Sequence, residues 1–126
     1  RVFLAELKDL FFVVMDRGCA LTKLQIAEAY RRSLAITGRS GRYKKPESVF
    51  IILLSGKLQI SEALEACGIS TSSRIAVVVT DRHDFLEIFE RKFQNSITKS
   101  DEAIPNDDPE LDGLIFPRMT YISLEL

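Results

Sequence analysis

The chain has 126 residues, of which 46% are hydrophobic and 28% charged, with a net charge of −1: ordinary values for one globular domain. A domain of this size buries about two-thirds of the surface that its unfolded chain exposes. The longest strongly apolar stretches, Leu10–Met15 and Val49–Leu54, fall far short of the roughly 20 residues that span a bilayer, which excludes a membrane-spanning helix.

In chain order, Val2–Leu7 alternates loosely, as a strand or a frayed end, and Glu6, Lys8 and Asp9 interrupt any signal-peptide pattern. Leu10–Met15 (LFFVVM) reads as a buried strand, broken by Asp16-Arg17-Gly18. Thr22 and Gln25 form a T-x-x-Q capping box, so a helix opens there and runs to about Ile36. Its expected apolar stripe is Ala27, Tyr30 and Leu34, widened by Ile26 and Ala29, and Gly38–Gly41 ends it in a basic loop.

Val49–Leu54 (VFIILL) has two apolar faces, the pattern of a central strand covered on both sides. Ser55-Gly56 then turns into a helix at about Leu58–Cys67, with Ile60, Ala63, Leu64 and Cys67 facing inward and Gly68 as the stop. Ile75–Val79 reads as another buried strand. Asp81 is placed to cap a third helix with Phe85, Ile88, Phe89 and Phe93 on its buried face. Ser96–Asp107 is polar and loop-like. Asp108-Pro109 can start a short helix that Pro117 ends, and Thr120–Leu126 alternates as a closing strand. The expected fold is therefore a single α/β domain over residues 1–126, a mixed central β-sheet flanked by helices, in the order β-α-β-α-β-α-(α)-β.

Catalytic chemistry is hard to assemble from this inventory. His83 is the only histidine and has no evident acid partner, so a solvated or capping role is expected. Cys19 and Cys67 lack metal or redox spacing, and buried free thiols in a reducing cytoplasm are expected in preference to a disulfide. No His/Cys/carboxylate metal set is apparent. The chain is accordingly expected to be no enzyme, to need no metal and no cofactor, and to act by binding.

Charge is segregated. Arg31, Arg32, Arg39, Arg42, Lys44 and Lys45 lie between Tyr30 and Pro46 with no acid among them. Asp101, Glu102, Asp107, Asp108, Glu110 and Asp112 lie between Ser100 and Gly113 with no base. The acidic run is expected to be a solvated surface. The basic run is either a solvated face or a contact for nucleic-acid backbone. Ser55-Gly56, which is neither a P-loop nor G-x-G-x-x-G, is either a tight strand-to-helix turn or a weak anion site at a helix N-terminus.

The stretch Lys44–Ile69, KKPESVFIILLSGKLQISEALEACGI, resembles the central segment of the small kinase-binding subunit of the KEOPS complex, in its archaeal form. The shared pattern is a basic-Pro lead-in, a buried strand, S-G-x-x-Q-I-x-E-A-[IL] and a Gly closing the helix. Ser55, Gly56, Gln59, Ile60, Glu62, Ala63, Leu64 and Gly68 occupy it. FFVVMDRGCALTKLQIAEAYRRSL upstream, and Arg74–Phe93 with TYISLEL downstream, are similar in the order of elements; Gln94–Pro117 matches nothing, and Pro117 departs from an uninterrupted last helix.

The resemblance implies a non-catalytic cytoplasmic subunit. It would dock on a small atypical kinase/ATPase and help recruit tRNA, including its 3′ single-stranded end, for threonylcarbamoyladenosine modification beside the anticodon. Phosphate contacts are then assigned to Arg31, Arg32, Arg42, Lys44, Lys45 and Lys57. Tyr43 and the apolar wall near Leu58 and Ile60 are candidates for base stacking, with core packing the expected role of Ile60. The rival reading is a regulatory α/β module that binds a small phosphate compound at the Ser55-Gly56 turn.

Overall fold

The computed structural model describes residues 10–39, 41–70, 73–92 and 104–126. Val2–Leu7, Phe93 and most of the loop read over Ser96–Asp107 lie outside them. The elements are β1 (Phe12–Asp16), a 3-10 turn (Arg17–Cys19), α1 (Lys23–Arg39), α2 (Pro46–Ser55), α3 (Ile60–Cys67), β2 (Ala76–Thr80), α4 (His83–Lys92) and α5 (Pro109–Glu125). The protein is mixed α/β but mostly helical. The described strands form a two-stranded antiparallel sheet, not a central sheet flanked by helices.

The largest correction is at Val49–Leu54, which is helical. Val49, Phe50, Ile52, Leu53 and Leu54 are all buried, so nearly the whole circumference of α2 is covered. It is packed against α1, α3 and α5. A helix enclosed in this way carries a continuous apolar run that periodicity alone cannot tell from a central strand. The signals that decide it sit at the ends: Pro46 at the first helical positions, Glu47 in the first turn, and Gly56 as a left-handed C-cap with φ 74°.

The second correction is the C-terminus. Thr120–Leu126 is not a closing strand but the last part of α5, and Pro117 lies inside that helix instead of ending it. Asp108 caps α5 by accepting from the Leu111 N–H at 3.2 Å. Ile115, Met119 and Ile122 are buried at helical spacing. Pro117 and Gly113, four residues apart, both face outward. The carbonyl that Pro117 cannot bond is therefore on the solvated side, where water can donate to it.

β1 and β2 pair in the register Phe12↔Thr80 to Asp16↔Ala76. Phe11, Val13 and Met15 enter the core while Phe12 packs edge-on to Phe85 of α4 at 4.9 Å. β1 is as expected, whereas β2 is only half-buried. Asp81 does not cap α4: its carboxylate accepts from the Phe11 N–H and the Tyr30 hydroxyl, both at 3.2 Å, joining β1 and α1 to the end of β2. Ile88 on α4 is exposed, contrary to its expected place on a buried face.

α1 ends at Arg39, one turn beyond the expected Ile36, and buries Gln25, Ala29, Ser33 and Ile36, leaving Leu34 exposed. Its first turn is fully satisfied. Thr22 Oγ1 accepts from the Gln25 N–H at 3.1 Å, and the Lys23 and Leu24 N–H groups donate to the carbonyls of Pro105 and Asn106 at 2.9 and 3.0 Å. Only half the capping box forms. The Gln25 amide reaches Asp112 at 2.8 Å instead of the Thr22 backbone, and the Thr22 hydroxyl donates to the same carboxylate at 3.0 Å. Asp112, expected on a solvated acidic surface, is buried.

The cysteines are also corrected. Cys19 and Cys67 are joined in a disulfide across 48 positions, with Cα atoms 5.3 Å apart, and are not free thiols. Cys67 ends α3 and is buried as expected, beside Ala63, while Leu64 is exposed.

Candidate nucleic-acid interface

The cations assigned to phosphate contacts fall into three groups. Arg31 and Arg32 stand on α1, where they share a shallow cleft of about 220 Å³ with Ala35, Ile36, Arg39 and Ser123 of α5. They are already engaged. Both guanidinium groups donate to Glu28, Arg32 through Nε at 2.8 Å. The pair of bonds, from Arg31 first and Arg32 second, pulls the Glu28 carboxyl down to about 2. Arg32 also donates to Thr120 Oγ1 at 2.9 Å, and Arg39 to the Ser123 carbonyl at 3.3 Å. Arg39 thus serves the carbonyl end of α5, where positive charge is favourable.

The second group is the segment between α1 and α2. Arg42, Lys44 and Lys45 are exposed, and the Arg42 guanidinium lies 5.4 Å from the Tyr43 ring centroid. Tyr43 is partly buried and packs against the core, so part of its side chain is committed to structure. Lys45 is the N-cap of α2 and makes no side-chain capping bond. The segment therefore brings three side-chain cations to the end of α2 that carries the positive partial charge.

Lys57 is apart. It follows the C-terminus of α2, and that ten-residue helix separates it from Lys45 by about 15 Å. The Ser55-Gly56 turn is not the expected strand-to-helix junction. It lies at the carbonyl end of α2, where the Leu54 carbonyl accepts from Arg118 Nη2 at 2.7 Å. The guanidinium covers Gly56 so closely that a Cβ there would meet it at 2.8 Å. Ser55 Oγ accepts from the Lys57 N–H at 3.1 Å. The free N–H groups expected of an anion site are thus replaced by a capped C-terminus. Arg118 gives no sign of this role in the sequence, because it follows a proline read as a helix stop.

The family-motif residues have structural places. Gly56 supplies the left-handed cap of α2, Gln59 is the N-cap of α3, and Glu62 lies in the first turn of α3. Ile60 packs against the core, Ala63 is buried, and Leu58 is exposed. At Gly68 a Cβ would come within 2.4 Å of the Leu64 carbonyl oxygen, so only glycine fits.

His83 is exposed at the start of α4, 3.4 Å from the Glu87 carboxylate. Among the described residues no group of three or more His, Cys, Asp or Glu side chains is arranged to hold a metal ion. No helix among them is long and apolar enough to cross a membrane. An apolar cleft of about 210 Å³ lies between α1 and the end of β2, lined by Lys23, Ile26, Tyr30, Val79 and Asp81 among others. On α5, Leu114, Tyr121 and Leu124 are exposed on one side of the helix. No family model matches the chain, and no curated protein is a significant match to it.

Proposed function

We propose that the chain is a non-catalytic KEOPS-type subunit that binds a small kinase/ATPase and helps recruit tRNA for threonylcarbamoyladenosine modification. The observation that carries the nucleic-acid half is the exposed Arg42, Lys44 and Lys45 segment at the positive end of α2, beside the Tyr43 ring. Phosphates are attracted to such a cluster through charge and counterion release, and an aromatic edge nearby offers a base a place to stack. The residue identities over Ser55–Gly68 support the family assignment; the strand that the pattern places at Val49–Leu54 is helical here. The exposed apolar row Leu114, Tyr121 and Leu124 supports a protein partner, since apolar side chains gathered on one helix face favour contact with another protein.

Two measurements test the two halves. Reversing Lys44 and Lys45 to Glu should weaken tRNA binding at modest salt while the circular dichroism spectrum stays unchanged; unaltered affinity would remove this segment from the interface. Co-purification with the cognate small kinase tests the other half, and absence of a complex at micromolar concentrations would sink it.

A further inference from the structure

The Cys19–Cys67 bond joins two parts of the fold that otherwise touch little. Cys19 closes the 3-10 turn after β1, and that turn is tied to the β2 side by the Arg17 N–H donating to the Ile75 carbonyl at 3.0 Å. Cys67 is the last residue of α3. α3 has eight residues, too short to be helical on its own merits. Of those residues only Ala63 and Cys67 are buried, with Ile60 partly so. Apart from the disulfide, α3 is held mainly by its packing on α2.

The two sulfurs are unequal. Cys19 is half-buried, whereas Cys67 is 1% exposed. Arg17, two positions before Cys19, has a buried Nε with no hydrogen-bond partner among the described residues. The Arg17 guanidinium is held on the same turn by donating from Nη1 to the Ala20 carbonyl. A cation on the turn that carries the more accessible sulfur makes Cys19 the better placed of the two to ionise and attack a disulfide.

We propose that Cys19 and Cys67 form a reversible redox latch that fixes α3 when closed and frees it when open, with Cys19 as the attacking sulfur and Cys67 as the resolving one. The oxidant is a small disulfide such as oxidised glutathione. The Cys19 thiolate attacks one of its sulfurs, forms a mixed disulfide and releases one glutathione thiolate. The Cys67 thiolate then attacks the Cys19 sulfur, forms the internal bond and releases the second. Two thiols are oxidised, one glutathione disulfide is reduced to two glutathione molecules, and each of the two cysteine protons goes to solvent or to a departing thiolate. Excess reduced glutathione or dithiothreitol runs the sequence backward.

The test uses the full chain equilibrated across ratios of oxidised to reduced glutathione, with thiols counted by alkylation and mass spectrometry. Reduction should leave the fold intact and raise hydrogen exchange over Ile60–Cys67 by about ten-fold or more, with β1 and α1 little changed, reversibly on reoxidation. Limited alkylation of the reduced chain should modify Cys19 at least about ten-fold faster than Cys67. Cys67→Ala should stop at the mixed disulfide on Cys19, and Cys19→Ser should leave Cys67 a shielded thiol. The latch is refuted by any of four results: no internal bond at any ratio, unchanged exchange in α3, global unfolding on reduction, or equal reactivity of the two thiols. If both variants fail to fold, the bond is a permanent staple and the proposal is likewise wrong.

Discussion

Gln25 donates its side-chain amide to the carboxylate of Asp112 at 2.8 Å, across 87 positions of chain, and both residues are buried. Asp112 also accepts from the Thr22 hydroxyl and from the Asp108 N–H, the latter at 3.0 Å. The Asp108 N–H does most to hold the Asp112 carboxyl below its ordinary range. Asp112→Ala should therefore lower the melting temperature by several degrees, and Gln25→Ala by less. Because the two act through one bond, the double variant should be little worse than Asp112→Ala alone. Strict additivity in thermal unfolding would contradict this.

Gly56 is the one glycine whose backbone, at φ 74°, disfavours any side chain, and Arg118 leaves no room above it. Gly56→Ala should cost about 1–2 kcal/mol in denaturant unfolding from the left-handed strain, plus the displacement of Arg118. Adding Arg118→Ala relieves the collision but not the strain, so recovery should be partial. Full recovery would mean that the turn is not left-handed.

Helix and strand make opposite forecasts at the C-terminus. In a strand, Ile122 and Leu124 share a face; in α5, Ile122 is buried and Leu124 is 81% exposed. Ile122→Asp should abolish the folded state, whereas Leu124→Asp should change stability by no more than about 0.5 kcal/mol. Equal damage at the two sites, measured by chemical denaturation, would restore the strand.

Glu28 provides a pH signature. Its carboxyl falls from 4.5 to about 2 because Arg31 and Arg32 donate to it. A depressed folded-state value means that the stabilisation is fully present above about pH 4.5 and is lost as pH falls toward about 2. Glu28→Gln should flatten this part of the acid-unfolding curve and lower stability between pH 6 and 8 by about 1 kcal/mol, a loss that vanishes as pH falls toward about 2. A titration of the Glu28 carboxyl by NMR near 4.5 in the folded protein would contradict it.

Much of the local structure was legible. Leu10–Met15 announced β1 through its Phe and Val content, Thr22 marked the start of α1, and Asp108-Pro109 marked the start of α5. The two misread elements failed for different reasons. Periodicity reports how many sides of an element are covered, and α2 is covered on nearly all of them, so its apolar run lost the helical rhythm. Pro46 and Gly56, ten positions apart, were the better guide. At the C-terminus the alternation of Thr120–Leu126 coincided with helical spacing at Ile115, Met119 and Ile122, and Pro117 obscured it by standing on the solvated side. For the candidate interface, composition revealed the basic run but not its partition. Glu28, Thr120 and Ser123, which occupy Arg31, Arg32 and Arg39, are near those arginines only in three dimensions or along a helix face.

The clasp between the first turn of α1 and the 105–112 segment bears on the order in which the molecule is made. The N–H groups of Lys23 and Leu24, and the side chains of Thr22 and Gln25, find their acceptors only at Pro105, Asn106 and Asp112. Met119 and Ile122, which fill the core, lie further along the same stretch of chain. A nascent chain that has emerged only as far as α4 has α1 and α2 available but an open core and unsatisfied donors. Loop closure over some 90 positions must wait until α5 leaves the ribosome, so this domain folds only once residues 105–122 have emerged.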